Sequence, residues 1–148
     1  MDQDAARADS LFLGSLEWLA HAYSCREFFV ERDVVYSLQQ DLRDRLAADG
    51  RGWRVYNDYP MINGPRRAFS ADLAVISPTR AVVLAAEFKF EPCRRRDDVL
   101  AAKLPVTVWA DILKDVDRVE TFVRGGYATI AYAILVDEDR RYAARDTS

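Results

Sequence analysis

Three charged residues stand in a part of the sequence that is otherwise almost entirely apolar. Asp72 lies in the run ADLAVI, and Glu87 and Lys89 lie in the run AVVLAAEFKF that follows it. Buried carboxylates are costly unless they pair with another group or bind a cation. Two carboxylates are hard oxygen ligands for a divalent metal, and an amine beside them could assist an attacking water. A salt bridge between Lys89 and either acid on a half-solvated face is the simpler alternative.

The two runs that contain these residues predict a β-hairpin. Residues 71–76 and 81–90 are rich in Ala, Val, Leu and Ile, and a Ser-Pro-Thr-Arg segment separates them. Pro78-Thr79 suits the centre of a type I turn. Because side chains alternate between the faces of a strand, we expect Glu87 and Lys89 to project to the same face.

The turn also predicts the register of the hairpin. A type I turn places Ile76 opposite Ala81, and carrying this pairing back places Asp72 opposite Ala85. Asp72 then lies diagonal to Glu87 on the same face, within reach of it. A register shifted by an odd number of residues would put the two acids on opposite faces, as in an ordinary α/β domain with an accidental salt bridge.

Length and composition describe an ordinary globular protein. The chain has 148 residues, which indicates a single domain, and its formal net charge is −3. This charge argues against a generally basic nucleic-acid-binding protein, although a local positive surface would suffice for binding. Cys25 and Cys93 are isolated, so we expect free thiols in a reducing cytoplasm. No run is long and apolar enough to predict a membrane span.

The first 30 residues predict a helical extension to the domain. A helix capped by Asp9 or Ser10 should continue to about Tyr23, after a frayed or weakly helical start. His21, the single histidine of the chain, lies in this helix. Metal sites usually recruit several ligands, so we expect His21 to be structural or exposed.

A second helix is predicted from Glu31 to Ala48. Apolar residues recur at helical spacing from Val35 onwards, and Asp49-Gly50 ends the pattern. Glu31 lies one turn before Val35, on the inward-facing stripe. It could interact with the dipole at the helix start, or it could point at a buried group.

The remaining pattern predicts a strand, the hairpin, a helix and a final strand. The first strand covers 53–61, the helix covers 107–124 and ends at Gly125-Gly126, and the last strand covers 127–136. The last strand is apolar enough to be central and covered on both faces. The tail, 138–148, is polar. The predicted buried face of the helix consists of Trp109, Ile112, Leu113, Val116, Val119 and Val123.

Basic residues near the hairpin are candidate contacts for phosphate groups. Arginine side chains match phosphate oxygens with two parallel donors. The alternatives are solvated loops for the arginines and pairing with Asp111, Asp115 or Asp117 for the helical residues. The candidates are Arg66, Arg67, Arg94, Arg95, Arg96, Lys114 and Arg118.

The sequence Asp72, a hairpin turn, and then Glu87-Phe88-Lys89 resembles the Asp…Glu-x-Lys signature of the PD-(D/E)XK nuclease superfamily. Ala71 stands where the motif has its proline. The predicted order of elements from residue 31 to residue 137 also matches the family's αβββαβ core. The resemblance implies an α/β, restriction-endonuclease-like fold with a mixed central sheet flanked by helices, preceded here by the N-terminal helix.

The resemblance also implies a function, namely hydrolysis of phosphodiester bonds in nucleic acid, with DNA favoured over RNA. Asp72 and Glu87 would hold Mg²⁺ or Mn²⁺ together with the Phe88 carbonyl, and Glu31 would contribute directly or through water. Lys89 would orient or help deprotonate the attacking water. A homodimer would provide two sites for cutting two strands.

A different class of function remains open from the sequence. The same fold could serve as a catalytically inactive binding or regulatory module, which the acidic net charge favours. The complete set of Asp, Glu and Lys favours the enzyme instead. We find no Gly-rich phosphate loop, no Ser-His-Asp set and no Cys/His cluster.

Overall fold

The computed structural model describes residues 2–62, 69–93 and 107–143. Within these ranges the protein has an α/β architecture. Its order of elements is the predicted one, with a helix, a strand, the hairpin, a helix and a strand following the N-terminal helix. The elements are α1 (Gln3–Ala22), a short 3₁₀ helix (Tyr23–Cys25), α2 (Glu31–Asp49), β1 (Arg54–Pro60), β2 (Ser70–Ile76), β3 (Val82–Glu91), α3 (Trp109–Arg124) and β4 (Ile130–Asp137).

The four strands form one mixed sheet in the order β1-β2-β3-β4. β2 is antiparallel to both β1 and β3, and β4 is parallel to β3 after the crossover through α3. The prediction that the last strand is central is wrong, because β4 lies at the edge of the described sheet. Its residues are mostly half-buried, so the expected full cover on both faces is not present either.

Helix α1 begins earlier than the sequence predicts. The Asp2 side chain caps it by accepting a hydrogen bond from the Asp4 amide at 2.9 Å, so residues 3–10 are helical rather than frayed. Arg7 pairs with Asp49 at the end of α2, with 2.6 Å between Nε and Oδ1. This ion pair between residues distant in the sequence explains why the helix begins earlier than predicted, because a search for local capping residues does not reveal such a contact.

Helix α2 begins at Glu31, as predicted, and ends one residue beyond the predicted Ala48. Gly50 terminates it in the left-handed conformation, with φ of 76°. The Gln39 side chain donates a hydrogen bond to the Val55 carbonyl at 3.2 Å, which joins α2 to β1.

The hairpin has the predicted turn but a different register. The Arg80 amide donates to the Ser77 carbonyl, as in a type I turn, and Arg80 itself has a φ of 69°. This left-handed residue shifts the pairing by one, and a bulge between Val75 and Ile76 shifts it by one more. The total shift is even, so the faces are those predicted. Asp72 therefore lies opposite Glu87 rather than diagonal to it.

Helix α3 starts at Trp109 and ends before Gly125-Gly126, close to the predicted bounds. Its buried face includes the predicted Ile112 and Val119 but is narrower than predicted. Leu113 and Val123 are exposed. The buried residues are Ile112, Asp115, Val119 and Phe122.

The helices cover the sheet from both sides. The larger apolar core joins α1 and α2 to one face and includes Phe12, Leu38 and Phe88. The smaller core joins α3 to the other face and includes Ala74 and Phe122. None of the helices in the described ranges has both the length and the apolar character needed to cross a membrane.

Candidate functional site

The candidate site lies where β2 and β3 diverge. The paired residues of these strands end at Leu73 and Ala86, whereas β3 continues beside β4 as far as Glu91. The amide of Phe88 donates instead to Asp72 Oδ2 at 2.7 Å. The Asp72 side chain therefore takes the place of a strand partner and is fixed beside Glu87, on the face of the sheet that α3 covers.

Glu87 is a buried acid whose carboxylate is only partly paired. Its Oε2 lies 3.4 Å from Arg118 Nη1, whereas its Oε1 has no hydrogen-bond partner among the described residues. Burial raises the pKa of Glu87 to about 8, and the negative charge of Asp72 adds to the effect while Arg118 opposes it. Burial and the neighbouring acid therefore outweigh the positive charge of Arg118 at this carboxylate.

Lys89 forms a salt bridge, but with a different partner from the one the sequence suggested. Its Nζ lies 3.1 Å from Asp115 Oδ2 on α3, and no ion pair joins it to Asp72 or Glu87 in the described part of the chain. Burial acts to lower the pKa of Lys89, but the Asp115 carboxylate and the charges of Glu31 and Asp72 outweigh it, so the pKa is raised. Lys89 therefore carries a positive charge at neutral pH.

Glu31 reaches the same site from the first turn of α2. Burial raises its pKa; the nearby Lys89 lowers it and Asp72 raises it further. Asp33, rather than Glu31, closes the start of this helix, because its Oδ2 accepts hydrogen bonds from the amides of Phe29 and Val30. Glu31 is thus turned towards the acids of the sheet, and it shares with Asp72 a cleft of about 210 Å³ between α2 and β1.

Asp115 is a member of the site that the sequence analysis missed. It lies three residues after Ile112 and four before Val119, in the middle of the buried stripe of α3. From the sequence, Asp115 was expected only as a local partner for basic residues of the helix. An acid at a position that the helical period assigns to the core was the signal that could have identified it.

The charges of the site do not balance. Desolvation also raises the pKa of Asp72, although the hydrogen bond from Phe88 opposes the rise. Four acids face two bases, and this excess of carboxylate groups over positive charges provides the oxygen ligands that a divalent cation needs. The acids are Glu31, Asp72, Glu87 and Asp115, and the bases are Lys89 and Arg118.

The site is not assembled as a finished metal cage. In residues 2–62, 69–93 and 107–143, no group of three or more His, Cys, Asp or Glu side chains is arranged to hold a metal ion. The oxygen ligands fit Mg²⁺ or Mn²⁺ by type, and Glu87 Oε1 is an open acceptor. The Phe88 carbonyl faces the same side as its amide, towards Asp72, because both groups of a strand residue point to one neighbour. Side-chain movement would have to bring these oxygens together around a cation.

The candidate phosphate contacts have separate outcomes. Arg118 lies at the site, because its Nη1 contacts Glu87 Oε2. Lys114 does not, because it is exposed and pairs with Asp111 at 2.8 Å, which was the alternative considered for it. Arg66, Arg67, Arg94, Arg95 and Arg96 lie outside the described residues.

The other titratable residues singled out in the sequence lie away from the site. His21 is exposed, as expected, and its Nδ1 lies 2.8 Å from the Glu17 carbonyl oxygen. Cys25 and Cys93 are free cysteines, as predicted. Neither the histidine nor the thiols contribute to the acidic site.

A second buried acid, Glu91, illustrates what a structural carboxylate looks like in this fold. Its Oε2 accepts a hydrogen bond from the Thr107 amide at 2.7 Å, and its Oε1 lies 3.1 Å from Arg141 Nη1. Both oxygens of Glu91 are paired, whereas Glu87 has a partner at Oε2 but none at Oε1 among the described residues. Burial alone therefore does not distinguish the candidate site; the unpaired oxygen and the neighbouring acids do.

Comparison with known proteins adds no assignment. The chain matches no protein-family model, no curated protein and no solved structure.

Proposed function

We propose that the protein is a divalent-metal-dependent nuclease of the PD-(D/E)XK type, with the αβββαβ restriction-endonuclease-like fold and with DNA as its favoured substrate. The observation that carries the proposal is the convergence of Asp72, Glu87 and Lys89 where two strands diverge. The even register shift keeps both acids on one face. Asp72 is held there by the Phe88 amide, and Lys89 follows two residues after Glu87 on the same strand.

The acids would hold the metal. Asp72 and Glu87, the Phe88 carbonyl and, directly or through water, Glu31 would supply the oxygens around Mg²⁺ or Mn²⁺. When bound, such an ion stabilises negative charge on a phosphate group and acidifies a water molecule. The raised pKa values of these acids support the assignment, since a buried carboxylate whose charge is not fully compensated is the group that gains most from a cation.

Lys89 would act as a fixed positive charge. Its salt bridge with Asp115 orients the side chain and keeps it protonated. In this state it would offset negative charge on the phosphate and orient the attacking water through a donated hydrogen bond. Asp115 is therefore a positioning residue for Lys89.

Cleavage of supercoiled plasmid DNA with and without MgCl₂ tests this function. Wild-type protein should nick the plasmid only with the metal. Asp72→Asn and Lys89→Ala should each abolish cleavage, while Lys114→Ala, which removes an exposed lysine that pairs with Asp111, should leave it unchanged. Metal-independent cleavage, or full activity in the first two variants, would reject the proposal.

The second candidate is a nuclease-like module that binds without cutting. It is favoured by the absence of an assembled three-ligand group in the described part of the chain and by the two ion pairs that already engage Glu87 and Asp115. Such a module need not bind a metal. Calorimetric titration with MgCl₂ separates the two, because the nuclease requires binding that Asp72→Asn removes.

A further inference from the structure

The two cations of the site are held in different ways. Lys89 and Asp115 form an enclosed pair, with side chains 26% and 12% exposed. Arg118 approaches Glu87 from the surface of α3, and its side chain is 40% exposed while that of Glu87 is 3% exposed. The ammonium group of Lys89 is therefore fixed inside the site, whereas the guanidinium of Arg118 sits at its rim.

The contact of Arg118 with Glu87 is a weak one for such a pair. A single contact at 3.4 Å joins Nη1 to Oε2, whereas charge-assisted hydrogen bonds are typically about 2.7–2.9 Å long and often bidentate for arginine. Glu87 Oε1 is left without a hydrogen-bond partner among the described residues. Arg118 thus compensates part of the negative charge of Glu87 without satisfying the carboxylate.

A divalent cation and Arg118 would compete for the same carboxylate, that of Glu87. Both carry positive charge, so a cation that binds Glu87 repels the guanidinium. An arginine released from this contact remains next to the site and presents a planar fork of donors that fits phosphate oxygens. Lys89 has no comparable freedom, because Asp115 retains it.

We propose that Arg118 is an exchangeable counter-ion of Glu87, which neutralises the carboxylate before the divalent cation binds and is then released to contact a phosphate group of the nucleic acid. The inference rests on the proposed nuclease function and assigns a regulatory contact to its site. It makes metal binding and phosphate binding interdependent, because each needs Arg118 to leave Glu87.

The test is a calorimetric titration of MgCl₂ into the metal-free, full-length protein at pH 8.5. Arg118→Gln removes the competing charge, so it should bind Mg²⁺ about tenfold more tightly than wild type. Arg118→Lys keeps the charge and should bind within about threefold of wild type. Lys114→Gln removes a positive charge from the same helix at a site that contacts Asp111, and it should not change the affinity.

A second measurement follows the guanidinium directly and does not depend on the stability of a variant. In ¹⁵N NMR spectra, the Nε–H signal of Arg118 should shift and exchange faster with water when MgCl₂ is added. The signal of Arg45, which pairs with Asp41 on α2 with 2.6 Å between Nε and Oδ2, serves as the control and should stay in place.

The outcomes separate this inference from the function on which it rests. If wild-type protein binds no Mg²⁺, the nuclease proposal fails, and the counter-ion role fails with it. If wild type binds Mg²⁺ but Arg118→Gln binds it no more tightly, or the Arg118 signal is unchanged by the metal, the counter-ion role alone is rejected. Tighter binding by Arg118→Gln only, together with a shifted Arg118 signal in wild type, supports it.

Discussion

Replacing Glu87 with glutamine should change how the stability of the metal-free protein depends on pH. The pKa of Glu87 is 4.5 as a free side chain and about 8 in the fold, so between these values the folded state binds more protons than the unfolded state. Stability is therefore lost as the pH rises through this window, at about 1.4 kcal/mol per pH unit. From pH 5 to pH 8 the loss from this one group is about 3.5 kcal/mol, because the slope falls off near each pKa.

Glutamine keeps the shape of the side chain and cannot ionise. Urea unfolding in EDTA at pH 5, 6, 7 and 8 would measure the free energy of unfolding of both proteins. The wild type should lose about 3.5 kcal/mol more than Glu87→Gln across this range, and the variant should be the more stable protein at pH 8. Glu120→Gln, which changes an exposed acid of α3 paired with Arg124, is the matched control. Equal losses in wild type and Glu87→Gln would refute the reasoning.

Three further perturbations have defined outcomes. Asp115→Asn should lower the free energy of unfolding by about 1–3 kcal/mol in urea denaturation, because Lys89 loses a partly buried partner; an unchanged midpoint would argue against the pair. Saturating MgCl₂ should raise the melting temperature of wild type but not of Asp72→Asn, since only a folded site with its ligands binds the ion; equal shifts would place the ion elsewhere. Gly50→Ala should cost about 1 kcal/mol in the same denaturation assay, because Gly50 has a φ of 76°; a neutral result would mean that the end of α2 relaxes.

The sequence predicted the elements that carry the site because their signals are local. Alternation of side chains assigned Glu87 and Lys89 to one face, and the Pro78-Thr79 turn identified the hairpin. The register was wrong by two residues, because a left-handed Arg80 and a bulge each add one residue to the pairing. The two shifts of one residue each give a total shift of two residues. Asp72 and Glu87 therefore share a face as predicted, although the predicted pairing was wrong.

What the sequence could not supply was the position of α3 relative to the sheet. The hydrophobic residues of this helix span a face wider than the one that is buried, so Leu113 and Val123 were assigned to the core and are exposed. Contacts with distant residues decide which side of α3 faces the sheet. That side carries Asp115, which contacts Lys89, and Arg118, which contacts Glu87. Both ion pairs join residues more than 25 positions apart in the sequence, which no local pattern encodes.

The most direct measurement is the anomalous difference density of a crystal of the wild-type protein soaked in MnCl₂. A site built for a divalent cation should give a peak in contact with carboxylate oxygens of both Asp72 and Glu87, with the Arg118 guanidinium displaced from Glu87. Crystals that take up no manganese between these two acids, with the Arg118 contact intact, would contradict the assignment of a metal-dependent nuclease site.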